Sequence, residues 1–263
     1  MKHTIAVAIS VYNKLEFVKT NLNIFKNVWT HIDPFISVCC NHEDTFQELR
    51  KIEGISVVRG EDHPFDKKED LRFRQYDCIK KSVANAAKNS DYVIHWHADA
   101  FALDDYEIVK LVNYMEENNI YFAGRGFWKD SKSPKIPLGD IDDHFFILKS
   151  SHVIDTRMYT DDPPILKNVR ELASMGVASE GILAILVQSC TLDKNVHIYS
   201  DMSENQVPKS GRIDKRYEDN IAHRTLPPCN FDPIRKFLHC DDIEMLRDMF
   251  RKNSIDESLI CEK

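Results

Sequence analysis

The sequence predicts an α/β fold, a three-layer sandwich in which a mostly parallel central sheet carries helices on both faces. Three observations predict it. Short apolar runs alternate with amphipathic stretches of helical period from the first residues onward; the chain, at 263 residues, is long enough to bury a substantial core; and no internal repeat or low-complexity tract breaks the order. A sheet of this kind takes its ligands at the carboxyl ends of its strands.

Thr4 to Ser10 reads as a buried strand, and "NKLEFVKTNLNIFKNVW" follows it with Leu15, Val18, Leu22 and Phe25 at helical spacing. "PFISVCCN" is a second strand, "EDTFQELRKIEG" a short helix closed by Gly54, and "ISVVRG" a third strand. "DKKEDLRFRQYDCIKKSVANAAKNS" then gives a long helix with Leu71, Cys78, Ile79, Val83 and Ala86 inward, before a strand from Tyr92 to Trp96. Beyond it come an amphipathic helix, "DDYEIVKLVNYMEENN", and two strands, "IYFAGRGF" and "HFFILKSS". "NVRELASMGVASEGILAILVQSC" reads as helical, with Gly176 and Gly181 able to split it around Ser179-Glu180. "HIYSDM" is a weak strand, "VPKSGRIDKRYEDNIAHRTLPP" a loop, and "DDIEMLRDMFRKN" a closing amphipathic helix.

Composition narrows the function classes. The 35 basic against 42 acidic residues, a net charge of −7, argue against a broad nucleic-acid surface. The first apolar run, Ile5 to Ile9, is shorter than a signal-peptide core, and no window approaches a membrane span. Seven scattered cysteines without a CxxC pair suggest reduced structural thiols and a cytoplasmic setting.

The stretch that concentrates chemistry is "DYVIHWHADAFAL". On a strand His95 and His97 point to one side, and Asp99 would join them if the strand continued, so the three could form a zinc cage and the chain a zinc hydrolase. Against this, position 100 is Ala where the His-x-His-x-Asp-His motif of metallo-β-lactamases has a further histidine. The plainer reading of His95 is a hydrogen-bonded core histidine, and Asp104-Asp105 most simply cap the following helix.

The order around this stretch supports a different reading. "IAVAISVYNKLEFVKTNL" resembles the first strand and helix of family 2-like GT-A glycosyltransferases, where a Val-Tyr-Asn segment contacts the nucleoside; here it is Val11, Tyr12 and Asn13. The second strand of that family ends in acidic or amide residues that hold base or ribose, matched here by Asn41, Glu43 and Asp44. A long polar helix and a strand closing on Asp-x-Asp follow, and here that motif is altered to His97-Ala98-Asp99. The resemblance covers residues 4 to 105. It implies a GT-A-like (nucleotide-diphospho-sugar transferase) domain over residues 1–263, with a nucleotide-sugar-binding half at 1–105, an acceptor-side half at 106–192, and an irregular extension at 193–263 that ends in a helix.

What the resemblance implies for the chemistry is specific. A sugar moves from a nucleotide diphosphate sugar donor to a hydroxyl acceptor, a glycan or polysaccharide precursor, and a divalent cation stabilises the departing diphosphate. The expected ligands of Mn2+ or Mg2+ are Asp99, His97 and a C-terminal histidine, His223, with His197 behind it; imidazole favours manganese. Arg72, together with Arg74, Arg212 and Arg216, is a candidate for diphosphate contact. Glu180, at the start of a helix, matches the position of the carboxylate base, and Asp143 in "GDIDDHFF" is its rival. A sugar-nucleotide-binding module without catalysis stays open beside this reading, since the motif is altered.

Overall fold

The computed structural model of the chain describes residues 3–61, 68–126, 141–159, 179–191, 195–199, 237–239 and 243–261. The N-terminal half follows a strict alternation: β1 (Ile5–Val11), α1 (Leu15–Asn27), β2 (Phe35–Cys40), α2 (Glu43–Leu49), β3 (Ile55–Arg59), α3 (Lys68–Ala87) and β4 (Tyr92–His97). Then come β5 (Ala100–Ala102), α4 (Tyr106–Glu117), β6 (Phe122–Gly126), β7 (Ile141–Lys149) and α5 (Ser150–Thr156). The remaining elements are α6 (Ser179–Cys190), β8 (Val196–Tyr199), β9 (Phe237–His239), α7 (Ile243–Lys252) and a 3-10 turn at Glu257–Leu259.

One seven-stranded sheet has the order β3-β2-β1-β4-β7-β6-β8, and β5 pairs with β9 in a separate two-stranded ribbon. The β1–β2, β2–β3, β1–β4 and β6–β8 pairs are parallel, whereas β7 runs antiparallel to both β4 and β6. The expected mostly parallel sandwich is therefore present, with one reversed strand inside it. β1 lies inside the sheet, between β2 and β4, and is buried along its whole length, "IAVAISV", as a strand covered on both faces must be.

Two apolar layers enclose the sheet. On one face α1, α4 and α7 pack over Val7, Ile9, Ile94 and Trp96. Here Phe25, Trp29 and Trp96 form an aromatic cluster with ring centroids 4.5 to 5.8 Å apart. On the other face Tyr76, Ile79, Val83 and Ala86 of α3 lie over Ala6, Ala8 and Val93, joined by α5 and α6. The small Ala6 and Ala8 let α3 lie close across the middle of the sheet. α3 leads from the carboxyl end of β3 back to the amino end of β4, so its first turns overhang the strand ends where ligands bind.

Several details depart from the sequence reading. β5 and β9 are three-residue strands too short to show a period. "SSHVID" begins α5 where the strand was expected to run on, and α5 ends at Arg157 in the left-handed region (φ 54°). Gly181 lies inside α6 and does not break it. The chain's end returns to α1, where Asn23 donates to the Leu259 carbonyl and the Cys261 amide donates to Thr20 Oγ1. Among the described residues no helix is long and apolar enough to cross a membrane.

Asp105 corrects the capping expectation. Its carboxylate leaves α4 uncapped and instead accepts the backbone N–H groups of Thr30 (3.0 Å), His31 (2.6 Å) and Ile32 (2.8 Å) in the α1–β2 connection. Asp104 supplies the local bond, accepting the Tyr106 amide at 2.9 Å. Removing a buried acceptor of three donors strands all of them, so Asp105→Ala is expected to cost about 3 kcal/mol of stability, and Asp104→Ala about 1 kcal/mol or less. Urea-denaturation midpoints of the two variants check this difference.

His197 on β8 is buried against the Tyr114 ring, and burial lowers its imidazole from 6.5 to about 4. As pH falls from 6.5 to about 4 the unfolded chain takes up a proton that the folded chain refuses, so stability is lost across that window. The loss from this one group reaches about 3 kcal/mol at most. His197→Gln is expected to flatten the profile of denaturation midpoint against pH between those values.

Candidate active site

The site is built by the parallel pairing of β1 with β4, which runs in register from Ile5↔Tyr92 to Ser10↔His97. At the amino end Asp91 locks this register, accepting from the Thr4 amide at 2.8 Å and the Thr4 hydroxyl at 2.9 Å. Those bonds, the backbone one first, hold the Asp91 carboxyl below the usual carboxylate range. At the carboxyl end the two chains leave the sheet side by side, and the Ala98 amide still reaches the Ser10 carbonyl. Residues 11–14 and 97–99, more than eighty positions apart, therefore face one cavity of about 230 Å³.

The cavity is lined by Val11, Tyr12, Asn13 and Lys14 from the end of β1, by Asn41 beyond β2, by Arg74, Gln75 and Cys78 of α3, and by His97 to Asp99. Every residue that the Val-Tyr-Asn segment and the altered acidic motif nominate is on its wall, and so is Asn41. Asp44 is not: it sits on the exposed face of α2, and its neighbour Glu43 pairs with Arg59 at 3.0 Å. Arg72 is on α3 one turn ahead of Gln75, with its side chain outside the described set. Arg74, only 4% exposed, takes the cavity position, its guanidinium 3.9 Å from the centre of the Tyr12 ring.

Asp99 makes an ion pair with Lys14, whose Nζ lies 2.5 Å from Oδ2. Lys14 precedes the first turn of α1 and directly follows Tyr12-Asn13. This partner is legible only once β1 and β4 are known to be parallel neighbours. His97 faces Gln75, with Nε2 3.4 Å from the amide nitrogen, and the same amide donates to Asp143 at 2.8 Å. Asp143 Oδ2 lies 3.7 Å from His97 Nε2. Asp143 itself is fully buried and off the cavity wall, so of this trio His97 and Gln75 line the cavity and Asp143 stands behind them.

The zinc cage does not form. β4 ends at His97 and the chain turns, which takes Asp99 away to Lys14. His95 is wholly buried and packs on the Phe146 ring at 4.8 Å, a core position as its plainer reading expected. Among the described residues no group of three or more His, Cys, Asp or Glu side chains could hold a metal ion. Of the ligands expected for Mn2+ or Mg2+, Asp99 is charge-paired with Lys14, His97 presents Nε2 to an amide, and His223 lies outside the described residues. Arg212 and Arg216 lie outside them as well. Glu180 is the second residue of α6, its side chain also outside the described set. Cys78 donates to the Cys39 carbonyl at 3.0 Å, and burial pushes its thiol up, so it lines the wall as an unreactive SH.

No protein-family model matches the chain, and no curated protein matches it in sequence. Solved structures do match in shape. The galactosyltransferase LgtC, solved with donor and acceptor sugar analogs, superposes with a TM-score of 0.53 at 11% identity, over 91% of this chain and 87% of LgtC. The fold is GT-A. The glycosyltransferase GlyE of Streptococcus pneumoniae TIGR4 gives 0.51 at 15% identity, over 98% of this chain and 62% of GlyE. Mouse xyloside xylosyltransferase 1 gives 0.48 at 10%, over 90% and 98%. In this GT-A sheet the cavity opens where the topology places ligands, beyond the carboxyl ends of β1, β2 and β4.

Gly60 guards the Asn41 side of the cavity. A Cβ at that position would run into the Asn41 amide, which is held by its own bond to the Glu61 carbonyl at 2.7 Å. Gly60→Ala is expected to displace Asn41, with a stability loss of about 1 to 3 kcal/mol. A thermal melt of the variant beside the wild type reads this effect.

Proposed function

We propose that the chain is a glycosyltransferase that moves a sugar from a nucleotide diphosphate sugar to a hydroxyl acceptor, a glycan or polysaccharide precursor. The observation that carries this reading is the cavity: Val11, Tyr12, Asn13, Asn41, His97 and Asp99, separate in sequence, share one wall at the carboxyl ends of the central strands. The GT-A fold supports it, because an open α/β sheet takes its ligands beyond the carboxyl ends of its strands, and those of β1, β2 and β4 border this cavity.

In this reading Tyr12, Asn13 and Asn41 take the nucleoside, and His97, Asp99 and the cations beside them take the diphosphate. The acceptor oxygen attacks the anomeric carbon, the bond from that carbon to the diphosphate breaks, and the acceptor proton passes to a carboxylate. Glu180 is the base of this proposal, placed at the start of α6. Asp143, being buried, acts as a positioning residue that orients His97 through Gln75.

Incubation with a panel of nucleotide diphosphate sugars, followed by measurement of slow donor hydrolysis, tests the reading. Asp99→Ala is expected to lower that hydrolysis by about 10²-fold or more with an unchanged circular-dichroism spectrum. Binding of a donor without any turnover would instead establish a sugar-nucleotide-binding module, and wild-type hydrolysis by Asp99→Ala would remove Asp99 from the mechanism.

A further inference from the structure

We infer that Lys14, in place of a divalent cation, bridges Asp99 to the diphosphate of the donor; the inference rests on the sugar-nucleotide reading of the cavity. A bridging metal needs oxygen ligands that the protein leaves available for it. Here Asp99 is neutralised by Lys14 at 2.5 Å, and the other half of the altered motif, His97, turns Nε2 toward the Gln75 amide.

The order of the groups matters as much as their charge. Lys14 is 37% exposed and Asp99 13%, so of the two side chains that line the cavity the cation is the more open to an entering ligand. A phosphate entering the cavity meets the cation first, as it would meet a metal held by a carboxylate. An ammonium carries three N–H groups; the bond to Asp99 takes one and leaves two for phosphate oxygens. Arg74, on the same wall, brings a second cation, so among the described residues lining the cavity two are cationic and one is a carboxylate.

This arrangement also accounts for the histidine at position 97. A divalent ion held by two acids is neutral before the diphosphate arrives; a single ammonium between two acids would carry one net negative charge against the incoming phosphates. With Lys14 as the bridge, one acid suffices, and an imidazole, which unlike a carboxylate carries no negative charge, removes the repulsion in the other place. Asp99 then works through Lys14, fixing the ammonium where the diphosphate arrives.

The test is calorimetric titration of the full chain with uridine, guanosine, cytidine and adenosine diphosphates and with the four nucleosides, in EDTA and again with manganese or magnesium. The expected result is one diphosphate bound equally well in EDTA and in metal. Lys14→Ala should weaken that diphosphate at least tenfold and leave its nucleoside unchanged, while Lys14→Arg keeps most of the affinity. Where Lys14→Ala fails to fold, Lys14→Gln, which retains a bond to Asp99 without the charge, carries the same expected loss. Diphosphate binding that requires metal in the wild type, or that survives loss of the Lys14 charge, overturns the inference and leaves the sugar-nucleotide reading in place. Binding of no diphosphate and no nucleoside overturns that reading and the inference with it.

Discussion

The parallel pairing of β1 with β4 is the constraint on which the site depends. Parallel neighbours end at the same edge of the sheet, so the residues that follow them are brought together whatever their separation in sequence. Six register pairs from Ile5↔Tyr92 to Ser10↔His97 fix that edge, and the Thr4–Asp91 bonds fix its opposite end. A slip of one residue would turn His97 to the aromatic face and carry Asp99 away from Lys14. The ion pair, the His97–Gln75 contact and the shape of the cavity all follow from this one register.

The layer beneath the sheet keeps the edge rigid. Trp29 donates its indole N–H to the Ala102 carbonyl at 2.9 Å, and Asn21 donates to the Ala98 carbonyl at 2.8 Å. Both bonds tie α1 and its following loop to the segment that leaves β4. Asp105, gathering the amides of residues 30–32, does the same one step further along. Buried side-chain to backbone bonds of this kind substitute for the sheet ladder where it has ended, because an irregular segment must satisfy its polar groups some other way. The turn at residues 98–99 is thus held from below while its upper side faces the cavity.

The strand and helix order up to His97 is legible in sequence because apolar runs of strand length alternate with stretches of helical period; of the expected inward set of α1, Val18 and Phe25 are buried, whereas Leu15 and Leu22 are half-buried and Phe17, Asn21 and Ile24 complete the buried face. The elements that are not legible are those whose stability comes from elsewhere. β5 and β9 exist through each other, a pairing between residues 100–102 and 237–239 that no local pattern announces. Val11, Tyr12, Asn13, Asn41, His97 and Asp99 are legible as a site through the resemblance, since each sits at a strand end. Lys14 and Gln75 are not, because their roles arise from what β4 and β7 place opposite them. Asp44 shows the converse limit: one position past the start of α2, the helix turns its side chain to solvent.

His95 and His97 show why a two-residue period alone does not identify a metal site. Alternation does put both on one side of β4, and their rings lie 5.8 Å apart. That side is covered by α3 and paired with β7, so His95 meets Phe146 and His97 meets Gln75 before either could share a ligand. Burial depth then separates them. His95 is closed into the core, whereas His97, one step from the strand's end, keeps 14% of its surface on the cavity. An imidazole there, backed by a buried carboxylate through a shared amide, has a fixed orientation and a polar face toward the ligand. The position where an acid was expected therefore holds an oriented imidazole, and in the proposed reading the positive charge beside it comes from Lys14, just beyond the end of the neighbouring strand.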